Sequence, residues 1–396
     1  MKILVTTNLK ETLGKDEEIL FAGDWVKYSL SFDSDFKNRK YNFFDSIWEN
    51  QNKLTEFHPY LTELRNKLIK QLSSNLNTIH NTIYSEKFWR IIINPWLHYY
   101  LEGMYTRWET INKILDKKEN LNFVYLNSLK NLEAPFDVRD YYSYITSSDI
   151  YNQYIFQKII NYFVNVKNNE YLKIVYSNEK LSKKENFDFL KKNEKQNYIR
   201  KFISLILRKA TNNNKFFLEL NSLGIYFIYL NFMLKQIPFK DYEFFTFQSY
   251  NELFESKKIS NVKLRENLIF EFNEKNDFEN FLKKNFVFDI PISLIEDFFS
   301  IQNYVEKIPY KPKIIVSDSK HEHDTIFKFW LASNVDNGSK LVTTDHGASY
   351  GSATHDLFVH EEMSDVAIRW HKPIMNNNVQ LPVLYLLKKK RDYKNK

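Results

Sequence analysis

Residues 345–351, DHGASYG, combine a histidine with backbone suited to binding a ligand. His346 can donate a hydrogen bond, carry a proton or act as a cation beside a phosphate. Gly347 and Gly351 let the main chain turn sharply and approach a ligand closely, in a chain that has only 7 glycines. Tyr350 adds a ring and a hydroxyl group. The combination predicts a loop whose main-chain amides meet a phosphate.

The same loop has a second interpretation as an ordinary tight turn, with a histidine whose hydrogen bonds are satisfied inside the protein. A G-x-x-x-G pattern alone is weakly specific. The loop is not a P-loop, because no Gly-Lys-Ser/Thr follows, and it lacks the G-x-G-x-x-G pattern of dinucleotide-binding folds. The spacing alone leaves both interpretations open.

A group of polar residues follows in the segment HEEMSDVAIRW, namely Glu361, Glu362, Ser364 and Asp365. A carboxylate near the histidine loop could act as a general base or hold an acceptor hydroxyl. The alternative is local, because Ser364 and Asp365 are also residue types that cap a helix or close a turn.

The segment HEHD at 321–324 is similar to the H-x-H-x-D-H metal motif of metallo-β-lactamase-like hydrolases. It departs from that motif because Asp324 follows His323 directly and no histidine comes next. Asp324 is equally well explained as an acid in the first turn of a helix, where it favours the helix dipole. We therefore expect no metal at this segment.

Hydrophobic patterning predicts the elements that position these segments. Apolar runs at 312–319 and 340–344 predict strands, and HDTIFKFWLASNVDNG between them predicts a helix. Gly338 stands where a helix C-cap glycine belongs. The three elements form a βαβ unit, and the DHGASYG loop leaves the carboxyl end of its second strand. In open α/β sheets, ligands bind at that edge.

The rest of the chain shows the same alternation of strands and helices. Further strands are predicted at 2–7, 19–25, 122–127 and 172–176. Further helices are predicted at 147–166, 198–210 and 226–235. Residues 47–118 also read as helical, and Pro95 predicts a kink there or a junction of two helices near Asn94.

Composition narrows the class of protein. The length of 396 residues predicts two or three domains. The net charge of +7 comes from 56 basic and 49 acidic residues, which is a mixed surface and does not favour nucleic-acid binding. The absence of cysteine excludes disulfides, thiolate metal sites and cysteine nucleophiles. The sequence shows neither a signal peptide nor a long uncharged apolar stretch, which predicts a cytoplasmic protein.

Three blocks of the chain resemble one family. They are residues 4–28, 86–109 and 326–370, which begin LVTTNLKETLG, EKFWRIIINPW and IFKFWLASNVD. Members carry a Gln-His-Gly-Gly-Gly-Tyr-Gly loop, then a Glu…Ile-Ser-Asp element and a Trp-Gly pair. On these blocks the chain resembles a Leptospira-type family of bacterial surface-carbohydrate transferases. Its histidine–glycine loop is also similar to that of Kdo-type capsule glycosyltransferases.

The resemblance implies an α/β fold of the GT-B type, with Rossmann-like lobes, a parallel sheet and a large helical insertion. The expected domains are an N-terminal lobe with helical insertions (1–300) and the start of a nucleotide-sugar-binding lobe (301–396). Family members continue beyond the point where this chain ends, so the second lobe is expected to be incomplete.

The implied function is a glycosyltransferase of surface polysaccharide biosynthesis, such as that of a capsule or O-antigen. The donor would be a nucleotide sugar, for which a CMP-activated ulosonic or nonulosonic acid is the analogy. The alternative is a truncated relative that binds a carbohydrate or a partner without catalysis. Expected partners are the nucleotide sugar and a glycan acceptor, with peripheral contact to the inner membrane. No nucleic acid, cofactor or metal is expected.

Candidate site residues follow from the matched positions. The candidate catalytic residues are His346, Glu361, Glu362 and Asp365. The candidate substrate-binding residues are Thr7, Glu11, Asp345, Gly347, Ser349, Tyr350, Gly351 and Ser364. Asp345 stands where family members carry glutamine, and its carboxylate would repel an anionic donor unless a cation lies between them. Trp89 and Trp96, in the middle block, are expected in the core.

Overall fold

Two parallel sheets organise the part of the chain that the structure describes. The computed structural model describes residues 2–15, 17–28, 39–45, 51–181, 215–220, 259–308, 311–345, 359–370, 372–373 and 375–381. Each sheet has five strands, and every strand pair is parallel. Helices connect the strands and pack against the sheets. The predicted α/β, Rossmann-like class is confirmed.

The first sheet is built from the N-terminal part of the chain. Its strands are β1 (Lys2–Val5), β2 (Glu18–Phe21), β3 (Tyr41–Phe43), β4 (Leu121–Leu126) and β5 (Leu172–Ser177). They lie in the order β3-β2-β1-β4-β5, so the order reverses between β1 and β4. The short connection from β1 to β2 contains a 3-10 turn, Lys10–Thr12, instead of a crossover helix. All four strands predicted in this region are confirmed.

The second sheet keeps its strands in chain order. They are β6 (Phe216–Glu219), β7 (Ile314–Ser317), β8 (Lys340–Thr344), β9 (Val366–Arg369) and β10 (Asn378–Gln380), in the order β10-β9-β8-β7-β6. The predicted strands at 312–319 and 340–344 are confirmed as β7 and β8. Strand β6 belongs to the predicted N-terminal domain (1–300), yet it pairs with β7 of the predicted C-terminal domain. The domain boundary at 300/301 stays a prediction.

Two long helices separate β3 from β4. They are α1 (Gln51–His80) and α2 (Glu86–Leu115). The side-chain oxygen of Ser85 accepts a hydrogen bond from the Phe88 amide at 3.2 Å and so caps α2. Helix α2 runs through Pro95 without interruption, so the predicted junction of two helices near Asn94 is wrong.

The burial of α2 explains why Pro95 does not end it. The run from Phe88 to Met104 is buried on most positions, including Trp89 and Trp96, which confirms their place in the core. A helix buried nearly all round is stabilised by packing on every side, and this outweighs the one main-chain hydrogen bond that proline removes.

Shorter helices complete the described chain. They are α3 (Val138–Ser147), α4 (Asp149–Asn165), α5 (Val262–Glu266), α6 (Asp277–Asp289), α7 (Phe298–Glu306), α8 (Lys320–His323), α9 (Thr325–Asp336) and α10 (Val359–Met363). The helix predicted at 147–166 is confirmed as α4, and the helix predicted for HDTIFKFWLASNVDNG (323–338) is confirmed as α9. Those predicted at 198–210 and 226–235 lie outside the described residues. None of the helices in the described ranges has the length and hydropathy that a membrane span requires.

One hydrophobic core joins the two sheets. It contains Leu4 and Leu121 from the first sheet, Ile315 and Leu341 from the second, and buried faces of α1, α2, α4, α6, α7 and α9. A second, smaller cluster covers the other face of the first sheet. Helix α2 lies in the larger core, so both sheets share one set of packed helices.

The βαβ unit of β7, α9 and β8 positions the predicted ligand loop. Gly338 has a φ of +100°, and its amide donates to the Val335 carbonyl at 3.0 Å. The Ser339 amide donates to the Asn334 carbonyl at 3.0 Å, which completes a Schellman motif. The predicted C-cap role of Gly338 is confirmed, and β8 starts two residues later.

Candidate functional site

The carboxyl edge of the second sheet carries buried polar residues from four neighbouring strands. Glu219 ends β6, Ser317 ends β7, Asp345 follows β8 directly and Arg369 ends β9. Their exposed fractions lie between 0% and 7%. Parallel strands end at the same edge, so these side chains share one side of the sheet. Burying this many polar groups costs free energy unless each is paired, so their partners show how the edge is built.

Arg369 neutralises the carboxylate at the start of the predicted loop. Its guanidinium donates hydrogen bonds to Asp345 Oδ1 and, at 2.9 Å, to Glu361 Oε1. The Trp370 amide also lies 3.4 Å from Asp345 Oδ2. The sequence required a cation beside Asp345 if an anionic donor is to bind nearby, and Arg369 occupies that place. Its position in the RWHK segment gave no indication of this role.

The loop itself lies between two fixed points. Residues 346–358, which include the candidate residues His346, Gly347, Ser349, Tyr350 and Gly351, lie outside the described residues. On the N-terminal side, the Asp345 amide donates to the Ile368 carbonyl at 3.3 Å. On the C-terminal side, the Asn94 side chain donates to the Val359 carbonyl at 3.1 Å. The described structure therefore fixes where the loop begins and ends.

Glu361 is the candidate carboxylate that lies beside Arg369. Its Oε1 accepts hydrogen bonds from Arg369 and, at 3.2 Å, from Asn378. Its Oε2 is buried and has no hydrogen-bond partner among the described residues. A buried carboxylate oxygen without a partner is unusual and indicates a place where another group can bind.

Glu362 points to the helices instead. Both of its carboxylate oxygens accept hydrogen bonds from Arg65, at 3.0 and 3.1 Å, and Asn66 and Arg90 donate to it at 3.3 and 3.4 Å. Burial lowers the pKa of Arg65, although Glu362 opposes that shift. The contacts describe an ion-pair network that fastens α10 to α1 and α2.

Asp365 lies at the opposite edge of the sheet. Its carboxylate accepts a hydrogen bond from the Leu341 amide at 2.9 Å and pairs with Lys87 at 2.8 Å and Lys340 at 3.2 Å. Burial alone would raise the pKa of Asp365, but the hydrogen bonds from Lys87 and Leu341 outweigh it and lower that pKa. Asp365 lies level with Leu341, four residues before Asp345 along β8, so roughly 13 Å separate the two at about 3.3 Å per residue.

Ser364 also serves the local structure. Its hydroxyl donates to the His360 carbonyl at 2.9 Å and accepts from Thr343 at 3.1 Å. The structure therefore brings Asp345 and Glu361 together and places Glu362, Ser364 and Asp365 in other contacts. The catalytic and binding roles of these residues stay predictions.

The candidate residues of the first sheet lie after β1. The Thr6 and Thr7 hydroxyls both donate to Gln153 Oε1, at 3.0 and 2.9 Å, and the Gln153 amide group donates to the Val124 carbonyl at 3.1 Å. Thr7 is 2% exposed, so its hydroxyl is used inside the protein. Glu11 is half-buried on the 3-10 turn between β1 and β2.

A partly open cavity between α1 and α2 contains about 200 Å³ of space, some of it open to solvent. Its polar lining includes Arg65, His98 and Glu102. Ligand sites for molecules of drug size span roughly 300–1,000 Å³. This cavity is therefore too small for a nucleotide sugar.

A buried histidine cluster stands on the β7 side of the same edge. His321 Nε2 lies 2.8 Å from His360 Nδ1, and His360 Nε2 lies 2.8 Å from Glu322 Oε1. Donor atoms of these three residues lie within 4.8 Å of one another, a spacing that could hold a metal ion. The HEHD segment supplies His321 and Glu322, but His360 is far away in the chain, so sequence spacing alone does not reveal the cluster.

The cluster has a defined electrostatic character. Burial holds the pKa of His321 well below its usual range, and His360 adds to that effect. Burial would raise the pKa of Glu322, but the neighbouring His360 and His323 outweigh it and hold that pKa far below its usual range. Glu322 is therefore an ionised carboxylate beside two imidazoles.

Comparison with known proteins gives the family. No match was found among curated proteins or among solved structures. The family model described as LIC12162 family transferase matches residues 2–396, nearly the whole chain. That match agrees with the resemblance carried by the blocks at both ends of the chain. The chain belongs to the LIC12162 family of transferases.

Proposed function

We propose that this transferase is a glycosyltransferase of bacterial surface polysaccharide biosynthesis, which takes a sugar from a nucleotide donor. Arg369, held between Asp345 and Glu361 at the point where the loop 346–358 starts, is the observation that carries this proposal. It offsets one of the two buried negative charges and so weakens the repulsion that Asp345 would otherwise exert on a phosphate at that loop. Family membership and the two Rossmann-like sheets, which fit a GT-B-like arrangement, support it further.

In the proposed reaction, the loop holds the leaving group. Main-chain amides of residues 347–351 and the imidazole of His346 bind the donor phosphate as its charge develops. The acceptor hydroxyl oxygen attacks the anomeric carbon, and the bond between that carbon and the phosphate oxygen breaks. The nucleotide leaves with the bonding electron pair, and the phosphate contact needs no metal.

Glu361 is the proposed base. It takes the proton of the acceptor hydroxyl on Oε2, the oxygen that no described residue binds. Glu362 and Asp365 are less suited to this step because both oxygens of each carboxylate are engaged, whereas the ion pair of Glu361 with Arg369 uses only Oε1. The proposal therefore narrows three candidate carboxylates to one.

The proposed donor class is a CMP-activated ulosonic or nonulosonic acid, and the proposed acceptor is a growing surface glycan. The reaction would take place in the cytoplasm, with the protein at the inner face of the membrane when its acceptor is bound there. The donor carries a carboxylate as well as a phosphate. The ion pair of Asp345 with Arg369 lowers the repulsion that both anionic groups would meet there.

A donor panel tests the proposal. The purified protein is incubated with CMP-, UDP- and GDP-activated sugars and with glycan fragments, and nucleotide release and product mass are measured. Turnover is expected with a CMP donor, and His346→Ala is expected to abolish it while circular dichroism stays unchanged. Asp365→Asn is the matched control and is expected to retain turnover.

Calorimetry with the free nucleotides is the measurement that could contradict the proposal. A protein that binds none of these nucleotides and releases none would contradict the transfer proposal. Binding of a glycan without nucleotide affinity would support the alternative, a non-catalytic relative. Equal turnover of His346→Ala and wild type would exclude the loop as the donor site.

A further inference from the structure

We propose that His321, Glu322 and His360 bind a divalent transition-metal ion, for which Zn²⁺ is the probe. Two imidazole nitrogens and one carboxylate oxygen form a donor set that Zn²⁺ uses in proteins. Magnesium and calcium prefer oxygen ligands, so two imidazoles select against them. This inference is independent of the proposed function, because it involves neither donor nor acceptor.

The positions of the donor atoms carry the proposal. The three residues are between 1% and 7% exposed, and their donor atoms lie within 4.8 Å of one another. Zinc bonds of about 2.0–2.2 Å place tetrahedral ligands about 3.3 Å apart. The hydrogen bonds of 2.8 Å in the cluster are slightly shorter than that. An ion replaces the protons between these atoms when the cluster expands by a few tenths of an ångström.

One rotation is needed for all three donors to meet. In the structure, His360 Nδ1 faces His321 and His360 Nε2 faces Glu322. Each imidazole gives one nitrogen to an ion, so the His360 ring must turn until a single nitrogen faces both neighbours. Rotation of a histidine ring about χ2 is soft. A water molecule then fills the remaining coordination position, as in other sites with three protein ligands.

Two further residues orient His321 for this role. Ser317 Oγ donates to Glu219 Oε2 at 2.6 Å, so its oxygen accepts the hydrogen of His321 Nδ1, 2.9 Å away. That contact leaves the lone pair of His321 Nε2 directed at His360. Metal-binding histidines are usually held in this way by a partner on the other ring nitrogen.

Main-chain amides fix the end of this chain of contacts. Glu219 Oε2 also accepts hydrogen bonds from the amides of Asp318, Ser319 and Lys320, at 3.2, 3.1 and 3.0 Å. Glu219 therefore cannot move away from Ser317 without leaving three amides unpaired. The support for His321 is built into the start of α8.

The ion would connect two short helices. His321 and Glu322 belong to α8, and His360 belongs to α10, which follows the loop 346–358. Binding would fix the start of α10 to the end of β7. The metal would then act as a structural clamp beside the loop.

The test measures metal directly. Protein stripped with a chelator is titrated with Zn²⁺ by calorimetry, and metal content is measured by mass spectrometry after desalting. One ion per chain is expected, and His360→Gln and Glu322→Gln are expected to lose it. Ser317→Ala is expected to weaken binding about 10–100-fold. His80→Asn removes a different buried histidine, which contacts the Leu294 carbonyl, and is expected to bind normally.

Cobalt gives a second readout that needs no variant. Wild-type protein with Co²⁺ is expected to show the strong visible absorption of a four-coordinate site, which excess Zn²⁺ removes. The absence of retained Zn²⁺ and of this absorption would overturn the proposal and leave the cluster as a hydrogen-bonded network. Equal affinity of wild type and His360→Gln, or equal affinity for Mg²⁺ and Zn²⁺, would overturn it as well.

Discussion

The two sheets differ in what their carboxyl edges hold. The first sheet reverses its strand order between β1 and β4, which is where α/β proteins usually open a ligand crevice. Two glutamines of α4 occupy that place: Gln153 binds Thr6 and Thr7, and Gln157 binds both main-chain polar groups of Leu126, at 2.7 and 3.4 Å. Among its described strands the second sheet shows no reversal of order, yet charged and titratable groups gather at its edge.

This difference distinguishes the two edges as candidates for the functional site. In the first sheet, neutral amides and hydroxyls satisfy one another and close the crevice. In the second, Asp345, Glu361 and Arg369 form a buried charge cluster in which one carboxylate oxygen has no described partner. Burying charged groups costs free energy, and proteins often accept that cost at functional sites. The second edge is therefore the better candidate for binding and chemistry.

The largest expected effect is on Arg369. Arg369→Met leaves Asp345 and Glu361 buried without their cation, and we expect a loss of about 3–5 kcal/mol in the free energy of unfolding. Urea denaturation measures it. The double variant Arg369→Met/Asp345→Asn should recover part of the loss. A loss below about 1 kcal/mol would mean that the charges at the edge of the second sheet matter no more for stability than the neutral groups at the edge of the first.

A pH effect is expected from Lys328, buried on α9 beside the second sheet. Burial lowers its pKa to about 8, although Asp137 and Asp324 oppose the shift. Because this folded-state pKa lies below the unfolded value of 10.5, the native state binds fewer protons between these limits. The contribution of Lys328 to stability therefore rises as pH increases from about 8 to 10.

The variant Lys328→Met isolates this contribution. It is expected to be more stable than wild type at pH 7, by about 2–3 kcal/mol, and the difference should shrink as the pH rises towards 10. Urea titrations of both proteins over that pH range measure it. A constant difference would mean that Lys328 is not held in a low-pKa environment.

Gln153 tests the first edge. Gln153→Ala leaves the hydroxyls of Thr6 and Thr7 and the Val124 carbonyl without their described partner, so we expect a loss of about 1–3 kcal/mol in stability. Donor affinity, measured by calorimetry, should stay unchanged. If this variant bound the donor more weakly while its circular dichroism stayed native, the donor site would instead lie at the first sheet.

The smallest effect is expected at Asp365. Its carboxylate is about one-fifth exposed, and its pairs with Lys87 and Lys340 are near the surface, so Asp365→Asn should cost about 1 kcal/mol or less. Transfer activity should be retained. A large drop in kcat without a change in stability would restore Asp365 as a catalytic candidate and contradict the placement of the site at the carboxyl edge.

Local sequence patterns predict the strands and helices, whereas contacts between residues far apart in the chain are visible only in the structure. The apolar runs of β7 and β8 and the C-cap glycine Gly338 are local signals, so the βαβ unit could be predicted. The continuation of α2 through Pro95 depends on packing around the helix, which proline's local preference does not report. Arg369 and His360 acquire their partners from other elements, across stretches of chain that carry no periodic signal.

Helix α2 limits how far the two sheets can move relative to each other. Many two-lobed enzymes swing one half towards the other on a hinge. Here the same buried helix belongs to a core that includes residues of both sheets, so a large swing would have to shear close-packed side chains. The two sheets are therefore expected to move together as one unit and not to open and close on a hinge.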